Sequence, residues 1–451
     1  MRTAEPAKRP DGGMFRSLRI RNYRLFAGGQ VVSNIGTWMQ RVAQDWLVLD
    51  LTHNSGTALG VVTALQFTPT LALGLWGGVV ADRYDKRKIL LITQILMGFC
   101  ALSLGLLELG GVVAIWHVYL VAFLLGLITV IDNPARQSFV VEMVGHADVS
   151  NAVSLNSATF NSARIIGPAV AGVLISLVGT GTVFVLNSVS YIAVLVGLLL
   201  MRVSELHRSK PVPRKKGQLI EGLRYVRSRH DLVLPMALVF VVATFGLNFQ
   251  VTIALMAKGT FHTGAESYGL LSTMIAVGSL GGALLSGRRK ARPRIRLLLG
   301  SAFAFGVLET MTGLMPTYVT FAILLIPTGV ASLTFTTAAN ASVQMGISAS
   351  MRGRVMGLYL LVFMGGAPFG SLLIGWLAEV TSPRVSIVGG GVVSFLAALV
   401  LGLAFARSKG LRVERAPGVA PYLRVLTPAE QDERAEQDER AELIGPRPVA
   451  H

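Results

Sequence analysis

Long apolar segments recur along this chain and leave few folds open to it. Windows of about 20 mainly apolar residues, the length that a helix needs to cross a bilayer, occur twelve times. Of the 451 residues only 14% are charged, against about a quarter in an average soluble protein. The sequence therefore predicts an all-α membrane protein with twelve transmembrane helices. The predicted spans are residues 23–51, 56–81, 89–109, 113–131, 150–177, 182–201, 232–257, 267–286, 295–314, 318–339, 355–378 and 385–406.

Basic residues are distributed unevenly between the two sides of this topology. The net charge is +17, but of the 41 Lys and Arg only Lys258 and Arg384 fall on one side, and Arg41 and Arg164 lie within spans. An excess of Lys and Arg in cytosolic loops is the positive-inside rule. We therefore predict a multi-pass protein of the cell membrane, surrounded by the lipid bilayer, with both termini cytosolic and no nucleic-acid partner.

The largest predicted cytosolic loop divides the chain into two halves of six spans. The predicted parts are an N-terminal cytosolic segment, a six-helix bundle, a central loop, a second six-helix bundle and a charged, disordered tail. They comprise residues 1–22, 23–201, 202–231, 232–406 and 407–451. The halves are weakly similar, with Glu108 in span 3 corresponding to Glu309 in span 9. Both glutamates are predicted near span ends, where a carboxylate reaches water, so we assign them no transport role.

Sequence signatures of enzymes and cofactor sites are missing. Cys100 is the single cysteine, the seven His residues lack metal-ligand spacing, and the sequence has no G-x-x-x-x-G-K-[S/T] phosphate loop. No pattern of nucleophile and base emerges either. We expect a non-enzyme without cofactor, metal or catalytic residue, acting as a monomer on a small-molecule substrate.

The turn between spans 2 and 3 carries the first family resemblance. The stretch GLWGGVVADRYDKRK at 74–88 resembles the motif G-x-x-x-D-R-x-G-R-K of the major facilitator superfamily. The motif positions are occupied by Gly78, Asp82, Arg83, Lys86 and Arg87. Asp85 departs from the motif, which usually has glycine there, and Asp adopts left-handed geometry less readily. The resemblance covers about residues 15–406 and implies two pseudo-symmetric six-helix bundles.

Other stretches indicate a branch of this superfamily. DNPARQSFVVEMV, NAVSLNSATFNSARIIGPAVAGVLI and MRGRVMGLY are similar to the enterobactin-exporter branch, which also contains macrolide and multidrug efflux proteins. The branch implies proton-driven antiport, by alternating access, of a drug-like or siderophore-like amphipathic compound. Similar sequences include lysophospholipid flippases, so a lipid transporter is an open alternative, and a non-transporting membrane scaffold is a third.

The superfamily pattern also predicts a charged gate on the cytosolic side. In the superfamily, an acidic residue at the end of span 4 pairs with a basic residue of the 2–3 turn, and Asp132 holds that position here. We expect such a cluster to stabilise the outward-open state, although topological anchoring alone also explains the basic residues. The predicted inner gate consists of Gly78, Asp82, Arg83, Lys86, Arg87, Asp132 and Arg136.

Polar residues recur on one helical face of spans 1 and 5, with a weaker stripe in span 7. A polar face cannot contact lipid, so it lines either a water-filled cavity or a helix–helix interface. The predicted cavity residues are Gln30, Asn34, Thr37, Arg41, Gln44, Asp45, Asn161, Arg164 and Asn248. We expect Asp45 to pair with Arg41 and to sense protons; alternatively, Arg41 and Arg164 bind anionic substrates, or the charges form a structural ion cluster.

Span 5 also resembles the antiporter motif G-x-x-x-G-P-x-x-G-G. The match is partial, because Ala163 and Ala171 stand where the motif has glycine. Small residues allow close helix approach and proline bends a helix, so the motif favours an exporter. The predicted helix-bend residues are Gly167, Pro168, Gly172 and, in span 11, Pro368.

Overall fold

The chain folds as a series of long helices. The computed structural model describes residues 13, 15–207, 218–287, 293, 295–348, 351–408, 412–415 and 423–426. In chain order the helices are α1 (Arg21–Leu51), α2 (Gly56–Arg83), α3 (Lys86–Leu109), α4 (Ile115–Leu199), α5 (Gln218–Arg227), α6 (His230–Phe245), α7 (Phe249–Leu255), α8 (Ala265–Gly287), α9 (Ile295–Leu314), α10 (Tyr318–Met345), α11 (Arg352–Val380) and α12 (Pro383–Ser408). Short 3-10 turns lie at Arg16–Arg19 and Val203–Glu205, and a π-helical turn, Met256–Thr260, extends α7.

The 85-residue α4 contains three of the predicted spans. Its helical path is interrupted at Gly145 (φ 67°, ψ 174°) and at Gly179 (φ 80°, ψ 168°). Almost no residue except glycine adopts these dihedral angles. The two glycines therefore divide α4 into three membrane crossings. With α6 and α7 forming one crossing, the described helices confirm the predicted twelve-helix membrane fold. By composition, nine described segments are long and apolar enough to span a membrane, with α4 counted once; α1, which carries the polar stripe, is not among them.

The α2–α3 turn shows how Asp85 is accommodated. Asp85 adopts an extended conformation (φ −61°, ψ 115°) and is the N-cap of α3. Its carboxylate accepts a hydrogen bond from the backbone N–H of Lys88 at 3.1 Å. The turn therefore needs no left-handed residue here, and an aspartate stabilises the start of the helix as a cap.

Apolar packing joins the two halves at one end of the molecule only. We call the end with the α2–α3 turn the basic side and the end with turn 52–55 the short-turn side. On the short-turn side, one buried cluster contains residues of both halves, among them Leu49 and Leu104 of the first and Leu255 and Phe321 of the second. On the basic side each half has a buried cluster of its own. The bundles therefore meet at the short-turn side.

The tail differs from the predicted disorder over part of its length. Arg412–Arg415 (β1) and Leu423–Leu426 (β2) pair as antiparallel strands, with Arg412 opposite Leu426. The prediction used composition alone, whereas RVER and LRVL contain β-branched valine, which favours strands. The QDERAE repeats lie outside the described residues.

Candidate functional site

A polar cavity lies between the two bundles. It has a volume of about 340 Å³ and is lined by residues of α1, α2, α4, α7, α8, α10 and α11. Three charged residues, Arg41, Asp45 and Arg164, line it. Aromatic side chains form much of the remaining wall: Trp38, Phe67, Phe249, Tyr268 and Phe363. Two positive groups and one negative group give this cavity the character of an anion-binding site with apolar walls.

The two arginines of the cavity share one aromatic partner. The guanidinium carbon of Arg41 lies 4.8 Å from the ring centroid of Trp38, and that of Arg164 lies 5.8 Å from the same centroid. Within the described part of the chain, neither guanidinium has a carboxylate oxygen within 4.0 Å. Cation–π contacts leave the edge of a guanidinium available for hydrogen bonds. Both arginines are thus placed to receive an anion.

Asp45 faces the opposite bundle instead of pairing with Arg41. Its Oδ1 accepts a hydrogen bond from Nε2 of Gln250 at 3.0 Å, and its Oδ2 accepts one from the hydroxyl of Tyr268 at 2.7 Å. Asp45 is 1% exposed. Asp45 and Arg41 therefore form no direct ion pair in this conformation, because the Arg41 guanidinium lies over Trp38 and the carboxylate accepts hydrogen bonds from two donors of the second half.

Further polar contacts close the short-turn side. Lys258 forms an ion pair with Asp50, and its ammonium lies 4.8 Å from the ring centroid of Trp46. The carboxylate of Glu379 accepts hydrogen bonds from the hydroxyl of Ser55 and from the N–H of Thr57, both at 2.8 Å. We call these contacts, with those of Asp45, the short-turn latch. Every one joins the first half to the second.

A smaller pocket lies beside the cavity, lined by the first bundle and by Met364 of α11. It has a volume of about 130 Å³ and contains three predicted cavity residues, Thr37, Arg41 and Gln44. Arg41 therefore borders both spaces. The four predicted residues that line neither of them are Gln30, Asn34, Asn161 and Asn248. Asn161 and Asn248 donate hydrogen bonds to carbonyl groups four residues earlier in the chain, which indicates a local structural role.

The residues of the predicted inner gate form two separate ion pairs. Lys86 pairs with Glu142 at 2.8 Å, with both side chains less than 9% exposed, so its partner is not Asp132. Asp132 instead binds Arg136 through Oδ2 at 2.7 Å. Its Oδ1 accepts hydrogen bonds from Thr93 and Gln94.

The remaining gate residues lie around the same turn. Gly78, Asp82 and Arg83 belong to the last two turns of α2, and Arg83 is exposed. Arg87 donates a hydrogen bond to the carbonyl of Leu198 at 2.7 Å and so caps the end of α4. The partner of Lys86, Glu142, was not among the predicted gate residues, because it lies ten residues beyond Asp132 and only the folded path of α4 brings it to the turn.

The helix-bend residues lie at close helix contacts. Gly167 packs against Trp38 and Ile35 of α1, and Gly172 packs against Ala265 of α8. The carbonyl of Pro168 contacts the Cα region of Gly269. Pro368 is buried in α11, where its carbonyl accepts a hydrogen bond from Ser371. Gly172 and Pro168 thus contribute to the interface between the halves.

Several cavity residues were not predicted. Trp38 lies one turn before Arg41 and so shares its helical face. It was not predicted, because tryptophan is common in apolar spans and does not stand out as a polar residue. Gln250 was missed because the predicted stripe of span 7 assumed a continuous helix. The helix ends at Phe245 and restarts at Phe249, which turns Gln250 toward the cavity.

The chain is similar to transporters in both sequence and structure. The family model described as Transmembrane secretion effector matches residues 13–418. The staphyloferrin A transporter of Staphylococcus aureus (strain NCTC 8325 / PS 47) is 26% identical over 370 residues, covering 79% of this chain and 89% of that protein. The enterobactin exporter EntS of Citrobacter koseri is 27% identical, covering 72% and 79%. A bacterial homolog of the human lysosomal transporter Spinster has the same fold, with a TM-score of 0.67 at 15% identity over 85% of this chain and 97% of that one.

Proposed function

The chain belongs to the transmembrane secretion effector family of major facilitator transporters, and we propose that it exports an anionic, amphipathic compound of the siderophore type. The observation that carries the proposal is the pair Arg41 and Arg164, which share Trp38 in the central cavity without an ion-pair partner among the described residues. An unpaired charge within a membrane protein is costly and marks a functional site. The relatives named as siderophore transporters support the same substrate class.

The chemistry of the cavity fits such a substrate. A guanidinium binds a carboxylate, and by the same geometry other paired oxygens, through two parallel N–H···O hydrogen bonds. Phe67, Phe249 and Phe363 provide flat apolar contacts for the rest of an amphipathic molecule. A lipid with a choline headgroup presents a cation beside its phosphate, and the two arginines disfavour that cation. The cavity therefore favours an anionic solute over a zwitterionic lysophospholipid.

We propose that the substrate moves outward from the cytosol. The positive-inside rule puts the basic side in the cytosol, and the bundles make their mixed apolar contacts on the short-turn side. In this arrangement the cavity is reached from the basic side and the short-turn latch closes the exit. The Lys86–Glu142 and Asp132–Arg136 pairs lie within the first half, so in the alternate state the inner gate would close the basic side by new contacts of this charged cluster with the second half.

We assign proton coupling to Asp45. Its carboxylate is the one acidic group lining the cavity, and both of its hydrogen-bond donors belong to the other bundle. When the exit is open, Asp45 is hydrated and takes up a proton, because a neutral acid is less costly to bury again than a carboxylate. When the cavity then opens to the basic side, the proton leaves, and ionised Asp45 holds the latch closed until substrate binds.

The coupling proposal predicts a specific defect in Asp45→Asn. This variant should lose proton-driven efflux but retain downhill exchange, because the amide cannot carry a proton. Both modes are measured in vesicles with and without a pH gradient. Proton-driven efflux at the wild-type rate in Asp45→Asn would leave Asp45 with a structural role only.

The inner-gate proposal is tested separately with Asp82→Asn. The variant should reach the membrane at wild-type level and lose transport, since the alternate state is destabilised. Efflux at the wild-type rate would show that the turn is only a topological anchor.

The substrate class is tested by comparing culture medium from cells with and without the gene. Mass spectrometry should find an acidic, metal-chelating compound in the medium of complemented cells that is depleted at least tenfold in the deletion. A gene carrying Arg41→Gln and Arg164→Gln should not restore it, whereas the control Arg407→Gln, an exposed residue at the end of α12, should. Restoration by the double variant would exclude the arginines from substrate binding.

A further inference from the structure

A second acidic residue is buried in the helical bundle formed by the second half. Glu309 was expected to reach water near the end of its span, but its side chain is 3% exposed. Its Oε2 accepts no hydrogen bond from any described residue. The expectation failed because Glu309 lies five residues inside the end of α9, on the face that packs against α6 and α12.

The carboxyl group of Glu309 lies at the break between α6 and α7. A methyl group added to the Cα of Gly246, the residue that ends α6, would lie 2.9 Å from Oε2 of Glu309 and 2.6 Å from the hydroxyl of Ser394. One added to Gly390 of α12 would lie 3.5 Å from Oε1. The carboxyl group thus fills a space that glycines leave open on two neighbouring helices.

The hydrogen-bond donors around this space are already engaged. The N–H groups of Gly246 and Leu247 both donate to the carbonyl of Val242, at 2.8 and 3.0 Å. The Ser394 hydroxyl donates to the carbonyl of Gly390 at 2.8 Å. The surroundings therefore supply acceptors, which suit a protonated acid and do not solvate a carboxylate.

The charged and titratable groups on the helices that pack around Glu309 either bind other residues or lie at the ends of their helices. Arg384 of α12 donates to the carbonyl groups of Gly313 and Met315 at the end of α9. Tyr318 of α10 donates to the carbonyl of Ser267, and Asp231 of α6 pairs with Arg229. Arg407 and Arg296 lie at the far ends of α12 and α9. In the described part of the chain, Glu309 has no ion-pair partner that would stabilise its charge.

We propose that Glu309 is a second proton-binding site of this transporter, separate from the cavity and located behind the break between α6 and α7. An ionised carboxylate with neither partner nor water costs several kcal/mol in a protein interior, so Glu309 holds a proton while the break is packed around it. It releases the proton when movement at the break admits water. In this conformation Glu309 is therefore a neutral acid.

The break connects Glu309 to the cavity. Gln250, which donates to Asp45 of the latch, is the fourth residue after Gly246, which lies beside the Glu309 carboxyl group. Discontinuous helices are sites of conformational change in transporters. A proton on Glu309 therefore favours the packed break that points Gln250 at Asp45, and its loss favours opening of the latch. This coupling rests on the proposed export cycle, whereas the protonation itself does not.

The protonation is tested by infrared spectroscopy on the purified full-length protein in lipid nanodiscs. A protonated carboxyl group has a C=O stretch that a carboxylate lacks. The difference between wild type and Glu309→Gln at neutral pH should contain this band, and the band should weaken in the wild type as the carboxyl group loses its proton at alkaline pH. Glu108→Gln is the matched control, since Glu108 is the corresponding residue of the first half and accepts a hydrogen bond from Thr180 at 2.7 Å. Absence of the band from the wild-type minus Glu309→Gln difference would overturn the proposal.

The link to the latch is tested by distance measurement between spin labels. With Cys100→Ser as background, labels at Val112→Cys and Val319→Cys lie on exposed positions of the two bundles at the short-turn side. In wild type the distance distribution should shift to longer values as pH is raised from about 6 to about 9, and because Asp45 is present in both proteins, the difference from Glu309→Gln reports Glu309 alone. Glu309→Gln, which mimics the protonated acid, should lose at least half of this shift, and Glu108→Gln should keep it. An unchanged shift in Glu309→Gln would overturn the coupling while leaving the proposed substrate class untouched.

Discussion

At the scale of single residues, substrate binding depends on guanidinium geometry as well as on charge. The guanidinium carbons of Arg41 and Arg164 lie 4.8 and 5.8 Å from the centroid of the same Trp38 ring. Lysine keeps the charge but loses the planar fork and the stacking. We therefore expect Arg164→Lys to weaken binding of an anionic siderophore about tenfold, equivalent to about 1.4 kcal/mol.

Quenching of tryptophan fluorescence measures this change, since Trp38 lies in the cavity. Arg407→Lys, far from the cavity at the end of α12, is the control and should bind as the wild type does. Equal affinity in Arg164→Lys would mean that Arg164 acts only through its charge or not at all.

Contacts between individual residues were the hardest feature of this molecule to predict from the sequence. The charged residues of spans 1 and 5 were identified from their spacing, and Arg41, Asp45 and Arg164 do line one cavity. Their partners were not identified, because Gln250 and Tyr268 are more than 200 residues away in the chain. Helical periodicity predicts which residues share a face, but it carries no information about which helix that face meets.

At the scale of secondary structure, the breaks in α4 depend on glycine. Gly179 has φ 80° and ψ 168°, and no atom lies within 4 Å of the position that a Cβ would occupy. Gly179→Ala therefore introduces backbone strain without a steric clash, and we expect a loss of about 1–3 kcal/mol in stability. Thermal unfolding in detergent measures it as a lower Tm.

The matched control is Gly28→Ala in α1. Gly28 is helical and also has free space around it, so alanine should leave Tm unchanged or raise it slightly. Equal Tm values for both variants would show that glycine at residue 179 adds no stability relative to alanine.

Helices were predicted well where the apolar pattern is continuous and poorly where it is not. The continuous run in span 9, residues 295–314, matches α9 in full. Span 7 was predicted as one helix, because Gly246 and Asn248 interrupt only the backbone and leave the apolar pattern intact. The break therefore became visible only through the backbone hydrogen bonds, where Gly246 and Leu247 share the carbonyl of Val242.

At the scale of the whole molecule, the short-turn latch sets the balance between the two open states. Glu379→Gln removes the charge that binds Ser55 and Thr57 across the bundle interface. Because Glu379 is exposed, we expect a change of roughly 0.5–1 kcal/mol, or a two- to fivefold larger population of the state open on the short-turn side.

Spin labels at Val112→Cys and Val319→Cys measure this population. Glu205→Gln is the control, since Glu205 pairs with Arg202 within the first half and crosses no interface. A distance distribution identical to wild type in Glu379→Gln would remove this contact from the latch.

The overall architecture was the most predictable level. Twelve apolar windows and the distribution of basic residues were sufficient for the fold, because a bilayer requires each window to be a helix. The resemblance of the turn at 74–88 identified the superfamily correctly. Which conformation the bundles adopt could not be predicted, since the same sequence must form both open states.

The central claim is that two cavity arginines, which have no ion-pair partner among the described residues, carry an anionic substrate out of the cell. Its most direct test is uptake into inverted membrane vesicles of an anionic catecholate siderophore and of its neutral, methylated derivative. Wild-type protein should transport the anion at least tenfold faster than the neutral compound, and the variant with Arg41→Gln and Arg164→Gln should lose this preference. Equal transport of both compounds by wild type, or an unchanged preference in the double variant, would contradict the account.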